Sequence, residues 1–277
     1  MVFSSLSPTK VGLRCCCRGF SRQARLEPPP LRGFIFNPSL TYYNSLMTKQ
    51  ADLTAFFFDG QRTPLAAELL GWMDSSTRFL AFADTYRDKI RKKIRTAQGS
   101  ESLLDVRCEL EVAFRLLADR RLALVYEPVM AEKRRGPDFA AAYRVNTAFN
   151  VEVARIRMEQ AGADRILRIL LDKLGQMQPS MPNLLAIHAP VGAAQQLDLA
   201  QLMQEIKALA ESKNPGFYSI SRYAGPADFY KEFLRLSGLV LWSDAASQVW
   251  ANKQAKPALE EKIPRLVGAL LGGGSPP

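Results

Sequence analysis

Three acidic residues have the types and positions that could build a divalent-cation site. Asp138 follows Gly136-Pro137 and precedes an apolar run, Glu152 lies inside a second apolar run, and Glu109 lies in a helical segment upstream. Carboxylate oxygens are the hard ligands that Mg²⁺ prefers, and Mg²⁺ keeps several waters in its shell. The metal offsets charge on a phosphate and lowers the pKa of a bound water. These acids therefore predict a site that could bind Mg²⁺.

The elements that must position these acids alternate between strands and helices. Asp138 and Glu152 lie in β-like runs that a turn at Asn146-Thr147 joins into a hairpin. Apolar residues at helical spacing precede and follow this hairpin. The predicted segments are a helix over 102–120, strands over 124–126, 138–145 and 149–156, a helix over 162–174, a strand over 183–189, helices over 197–212 and 228–236, a strand over 238–242 and a last helix within 257–271. The order predicts an α/β fold, with a mixed central β-sheet flanked by helices.

Helical spacing places Glu109 close to the apolar face of the helix over 102–120. It precedes Val112 by three residues and Leu116 by seven, whereas Glu111 is predicted to lie further round. An unpaired carboxylate beside a buried face is costly, so Glu109 is expected to have a partner. That partner is either the metal site or a salt bridge, for instance to a nearby arginine.

In this order of elements the sequence resembles the PD-(D/E)XK nuclease superfamily, which has the restriction-endonuclease-like fold. The resemblance covers residues 100–245, and it is closest to uncharacterised bacterial members written Gly-Pro-Asp-Phe and then Val-Glu-Val-x-Arg-Ile. It implies a Mg²⁺-dependent enzyme that cleaves DNA or RNA phosphodiesters. It also implies Glu109, Asp138 and Glu152 as catalytic residues. Asp138, Glu152 and the Val153 carbonyl would be the metal ligands.

One position departs from the superfamily pattern. The superfamily has a lysine two residues after the second acid, where this sequence has Ala154. Residues i and i+2 of a strand share a face, so Ala154 lies beside Glu152 and Arg155 points to the opposite face. Either catalysis is lost, or a basic residue comes from elsewhere. The sequence candidates for that role are Arg157, Arg165 and Arg168.

Each acid taken alone also fits an ordinary structural role. Pro-Asp is common at turns, so Asp138 could cap one, and a glutamate in a strand often faces solvent. The alternative function is a non-enzymatic module that keeps the fold to bind nucleic acid or a protein partner. Ala154 favours this alternative, whereas the retention of all three acids favours the enzyme.

Composition excludes several kinds of chemistry. The chain of 277 residues carries a net charge of +10 but has one histidine, His188, and four cysteines, three of them at 15–17. A zinc site of several His or Cys ligands cannot form after residue 46. His188 lies in an apolar run and is predicted to be a hydrogen-bonded core residue. A single cysteine after residue 46 argues against a disulfide framework and predicts a reducing, cytoplasmic location.

The predicted domains follow from composition. Residues 1–46 have six basic residues against Glu27 alone and contain Pro28-Pro29-Pro30, so they are expected to be disordered. They are either a targeting segment or, as we prefer, spurious sequence before a translation start at Met47. A helical extension is predicted over 48–98 and the α/β core over 99–271. No apolar run is long enough for a membrane helix.

Overall fold

The computed structural model describes residues 49–129, 136–144, 146–157, 162–190 and 192–273. Predictions for residues 1–46 lie outside this part of the chain. The helices are α1 (49–58), α2 (Pro64–Ser75), α3 (Thr77–Thr85), α4 (Arg87–Thr96), α5 (Gly99–Leu117), α6 (Ala163–Leu174), α7 (Ala193–Gln196), α8 (Leu199–Glu211), α9 (Pro215–Ile220), α10 (Pro226–Phe233) and α11 (Lys262–Leu271). The strands are β1 (Leu122–Tyr126), β2 (Phe139–Tyr143), β3 (Thr147–Arg155), β4 (Asn183–His188), β5 (Leu236–Trp242) and β6 (Ser247–Ala251).

The described strands form one six-stranded mixed sheet in the order β1-β2-β3-β4-β5-β6. Antiparallel pairs join β1 to β2, β2 to β3 and β5 to β6, and parallel pairs join β3 to β4 and β4 to β5. Parallel neighbours require a crossover, which α6 supplies between β3 and β4. The predicted α/β fold with a mixed, helix-flanked sheet is confirmed, and β6 is an edge strand that the sequence pattern did not indicate. None of the described helices has the length and apolar character needed to cross a membrane.

The sheet separates two apolar layers. Val151 and Val153 of β3 pack into one cluster with α5 and α11, and the partly buried Ala154 packs into the other, which contains α6, α8 and α10. The first cluster also contains Phe79 and Ile90, so the helices of 49–98 share a core with one face of the sheet. Because successive strand residues alternate between faces, Glu152 lies on the α6 side.

Helix α2 begins at a capped position. Thr63 caps α2 by accepting a hydrogen bond from the Ala66 amide at 3.1 Å, and Pro64 occupies the first helical position. Within the predicted helical extension, α3 and α4 are separate helices. Tyr86 separates them with a backbone conformation that is not helical (φ −106°, ψ 19°). The division matters because it directs α4 toward β1.

Glu111 is more deeply buried than the helical spacing predicted. It lies between Arg107 and Arg115, with ion-pair distances of 2.9 and 2.6 Å, and is 4% exposed. Arg115 also donates to the Leu271 carbonyl of α11 at 2.9 Å and contacts Asp244 at 2.8 Å. The expectation that Glu111 lies away from the core was wrong because α11 covers that side of α5. Its charge is offset by two arginines, as burial requires.

We expect Glu111→Gln to lower the free energy of unfolding by roughly 2 kcal/mol, because charge-assisted hydrogen bonds to two arginines are lost. Urea denaturation followed by circular dichroism measures this change. The matched control is Glu260→Gln, since the Glu260 side chain is 58% exposed and pairs with Lys262 at the surface. An equal effect of the two substitutions would contradict the burial argument.

Candidate functional site

A cleft of about 330 Å³ opens between α5, the end of β3 and α6. Its walls combine acidic, basic and apolar side chains. The described lining residues are Asp105, Cys108, Glu109, Asp138, Val153, Ala154, Arg155, Arg157, Arg165, Ile169, Asp172, Lys173 and Gln176. They carry four cationic and four acidic side chains, so the lining is close to neutral. Its chemistry therefore depends on which charges are already paired.

Asp138 is held at the start of β2 by the neighbouring strand. The β2–β3 register pairs Phe139 with Val151, which brings Asp138 beside the Val153 amide. That amide donates to Asp138 Oδ2 at 2.8 Å, and Asp138 is 4% exposed. Within the described chain, the hydrogen bond and ion pair of this carboxylate both use Oδ2. Oδ1 is thus available to a ligand in the cleft.

Lys173 joins the two predicted metal-ligand carboxylates. Its ammonium lies 2.7 Å from Glu152 Oε2 and 3.7 Å from Asp138 Oδ2. Glu152 is 3% exposed and points toward α6, which explains how a residue of that helix reaches it. Asp138 and Glu152 therefore approach one common cation, although they come from the start of β2 and the middle of β3.

Lys173 is the cleft residue that the sequence pattern did not single out. It follows Glu152 by 21 residues and belongs to the crossover helix, far from the position of Ala154. A signal was present: Arg165, Asp172 and Lys173 recur at helical spacing on a side of the helix away from Ile166, Leu170 and Leu174. Such polar side chains indicate that one side of α6 lines a cleft rather than the packed core.

Glu109 approaches the same cleft from the other layer. Its Oε2 accepts a hydrogen bond from the Tyr126 hydroxyl at 3.0 Å and forms an ion pair with Lys93 of α4. Lys93 also contacts the Glu127 carboxylate at 2.8 Å. Glu109 is therefore held by a salt bridge, as the sequence allowed, but its partner is a lysine of the N-terminal helices rather than a nearby arginine.

Burial and charge act together on this carboxyl. Burial raises the pKa of Glu109 above its usual range, the negative charge of Asp138 adds to the effect, and Lys93 opposes it. Burial alone lowers the pKa of Lys93, but Glu109 and Glu127 outweigh burial, so its net pKa lies above the ordinary value. Glu109 and Asp138 therefore interact electrostatically across the cleft.

The arginines that were candidates for the missing lysine have other positions. Arg155 turns toward α5, where it contacts Asp105 at 3.0 Å, and Arg157 contacts Glu101 at 3.2 Å. Arg165 lines the cleft but forms no ion pair with a described acid, and Arg168 is exposed. The cation that contacts the predicted metal ligands is instead Lys173, which was not among these candidates.

Asn150 shares a strand face with Glu152 but does not reach the cleft. Its side-chain amide donates to the side chain of Asn183 at 3.1 Å, and both residues are buried. The pair therefore links β3 to β4, and it lies outside the described lining of the cleft.

Among the residues that the structure describes, no group of three or more His, Cys, Asp or Glu side chains has the arrangement of a metal site. Two cleft carboxylates nevertheless retain an oxygen without a partner in this part of the chain, Oδ1 of Asp138 and Oε1 of Glu109. Mg²⁺ is often bound through one or two carboxylates plus substrate and water, so this donor set fits it. The fit is poorer at Glu152, because it lies outside the described lining of the cleft.

Comparison of this chain with protein-family models, with curated proteins and with solved structures gave no match.

His188 lies outside the described lining of the cleft. Its ring packs edge-on against the buried Trp242, with ring centroids 4.5 Å apart. Burial lowers the pKa of this imidazole below its ordinary value of 6.5, and the acids Glu111 and Asp244 only partly oppose the effect. The residue therefore packs at the end of β4, and the predicted catalytic carboxylates lie elsewhere.

We expect the His188 imidazole to titrate below pH 6.5 in the folded protein. In the unfolded chain the imidazole has its ordinary pKa, so it binds a proton at higher pH than it does in the folded protein. The free energy of unfolding therefore decreases as the pH falls below 6.5, by at most about 1.4 kcal/mol per pH unit. Proton NMR of untagged protein reports the pKa directly, because the sequence has one histidine. In urea denaturation between pH 5.5 and 7.5, His188→Gln should reduce the pH dependence. A measured pKa at or above 6.5 would contradict the burial of the His188 ring against Trp242.

Proposed function

We propose that the cleft hydrolyses phosphodiester bonds of DNA or RNA with Mg²⁺, in a restriction-endonuclease-like arrangement. The observation that carries the proposal is the position of Lys173, whose ammonium contacts Glu152 and approaches Asp138. A lysine beside the second acid is what the PD-(D/E)XK resemblance requires and what Ala154 does not supply. The order of elements adds support, because an antiparallel hairpin carrying both acids is followed by a helical crossover to a parallel strand.

Each cleft residue has a role that follows from its contacts. When bound, Mg²⁺ would lower the pKa of an attacking water and offset charge on the scissile phosphate. Asp138, through its Oδ1, and Glu109 would hold the cation. The Val153 carbonyl is the further predicted ligand, and the amide of the same residue donates to Asp138. Lys173 donates to the phosphate or to the attacking water, and Glu152 holds the lysine in place. The approach of Lys173 to two carboxylates keeps its ammonium at the cation site.

A second candidate is a nucleic-acid- or protein-binding module without catalysis. It is favoured by the absence, among the described residues, of a group of three or more metal-ligating side chains. In this case Lys173 neutralises two buried carboxylates and stabilises the fold, and no step of hydrolysis takes place.

Cleavage assays with labelled single- and double-stranded DNA and RNA, in Mg²⁺ or Mn²⁺, distinguish the two functions. We expect Asp138→Asn and Lys173→Met each to slow cleavage at least about 100-fold, because a cation ligand or a proton donor is lost. The matched control is Lys231→Met, an exposed lysine on α10, which should retain the wild-type rate within about twofold.

The Lys173→Met substitution leaves the buried Glu152 without this cation, so loss of folding must be separated from loss of chemistry. Combining it with Glu152→Gln removes both charges, and this double variant should melt close to the wild type yet remain inactive. Wild-type protein that binds nucleic acid but cleaves none of the substrates would favour the binding module. Equal cleavage by wild type and Asp138→Asn would refute the proposed site.

A further inference from the structure

Arg165 differs from the other cations of the cleft in having no acidic partner among the described residues. Arg155 and Arg157 bind carboxylates of α5, and Lys173 binds the carboxylate of Glu152. In the same part of the chain, Arg165 forms neither a salt bridge nor a hydrogen bond through its side chain, although it lines the same cleft. Although the charge of the lining is nearly balanced, the Arg165 guanidinium is not neutralised by a direct contact with a described residue.

The environment of Arg165 makes an unpaired guanidinium unfavourable. Its Nε atom is shielded from solvent and has no hydrogen-bond acceptor in the described chain. A shielded donor without an acceptor is destabilising, and such atoms in folded proteins call for a specific explanation. The Oε1 atom of Gln176, which lines the cleft just past the end of α6, is also shielded and has no described partner. Of these two atoms, the Arg165 Nε–H is the donor, and it fits an anionic ligand from outside the described chain.

We propose that Arg165 binds a backbone phosphate of the nucleic acid. This phosphate differs from the scissile phosphate that Lys173 is proposed to contact. This proposal rests on the proposed function for the identity of the ligand. The planar guanidinium offers paired donors that match phosphate oxygens. Arg165 and Lys173 both line the cleft from α6 and are separated by eight residues, or about 12 Å along the helix axis. Since nucleotides rise about 3.4 Å along one strand of a duplex, the two cations contact different phosphates.

Binding in the absence of divalent cations tests the proposal apart from hydrolysis. Fluorescence anisotropy of labelled DNA and RNA oligonucleotides, with EDTA present, gives the dissociation constant as a function of NaCl concentration. We expect Arg165→Gln to weaken binding about tenfold. It should also reduce the slope of log affinity against log salt by about 0.9, the value for one phosphate contact. Arg165→Lys should fall between this variant and the wild type.

The matched control is Arg168→Gln, which removes the same charge from an exposed position on the same helix. It should leave affinity within about twofold of the wild type. Equal losses in the two variants would overturn the proposal, because they would report general charge rather than a specific contact. Saturation of an Arg165-dependent site by inorganic phosphate, with oligonucleotide binding unchanged in Arg165→Gln, would also overturn it in favour of a small anion.

Failure of the Arg165 contact is distinguishable from failure of the proposed function. Arg165-dependent binding without cleavage would support this contact and refute hydrolysis. Cleavage that does not depend on Arg165, with unchanged binding, would support hydrolysis and refute this contact. Thermal melting of each variant excludes misfolding as the cause.

Discussion

The carboxylates of Asp138 and Glu152 are nearly inaccessible to solvent, and their burial sets a constraint that shapes the centre of the molecule. Two acids in one poorly hydrated region are destabilising unless a cation compensates them. Lys173 supplies that compensation, at 2.7 Å from Glu152 and 3.7 Å from Asp138. The contact also links α6 to β3 beside the cleft. Stability and the proposed chemistry depend on the same lysine.

In the opposite layer, the carboxylate of Glu109 is also largely buried and is also stabilised by a cation, which comes from a different part of the chain. Glu109 of α5 is stabilised by Lys93 of α4 and by the Tyr126 hydroxyl of β1. Lys89 strengthens the same junction by donating to the carbonyls of Tyr126 and Glu127 at 2.9 and 2.7 Å. The N-terminal helices thus contribute directly to the surroundings of the cleft. Each layer therefore places a carboxylate and its cation near β3: Glu109 with Lys93 on one side, and Glu152 with Lys173 on the other.

The predictability of the site differed from residue to residue. The hairpin that carries Asp138 and Glu152 follows from alternating apolar residues and a polar turn, which are local features. The cation beside them was not among the sequence candidates Arg157, Arg165 and Arg168, because sequence spacing does not specify which residue of a separate helix reaches the strand. Glu111 shows the same limit, since its burial depends on α11, whose Leu271 lies 156 residues beyond Arg115 in the chain.

Short-range patterns in the sequence were enough to determine the order of the main helices and of strands β1 to β5, but not β6. They also determined the pairing of β2 with β3 and the presence of three acids in that framework. These properties depend on side-chain periodicity and turn chemistry over short stretches. Tertiary packing alone decided that Lys173 contacts Glu152, that Lys93 holds Glu109 and that Arg165 has no acidic partner in the described chain. The physical reason is that the apolar side of α6, with Ile166, Leu170 and Leu174, packs against the sheet and sets the rotation of the helix. That rotation depends on strands distant in sequence.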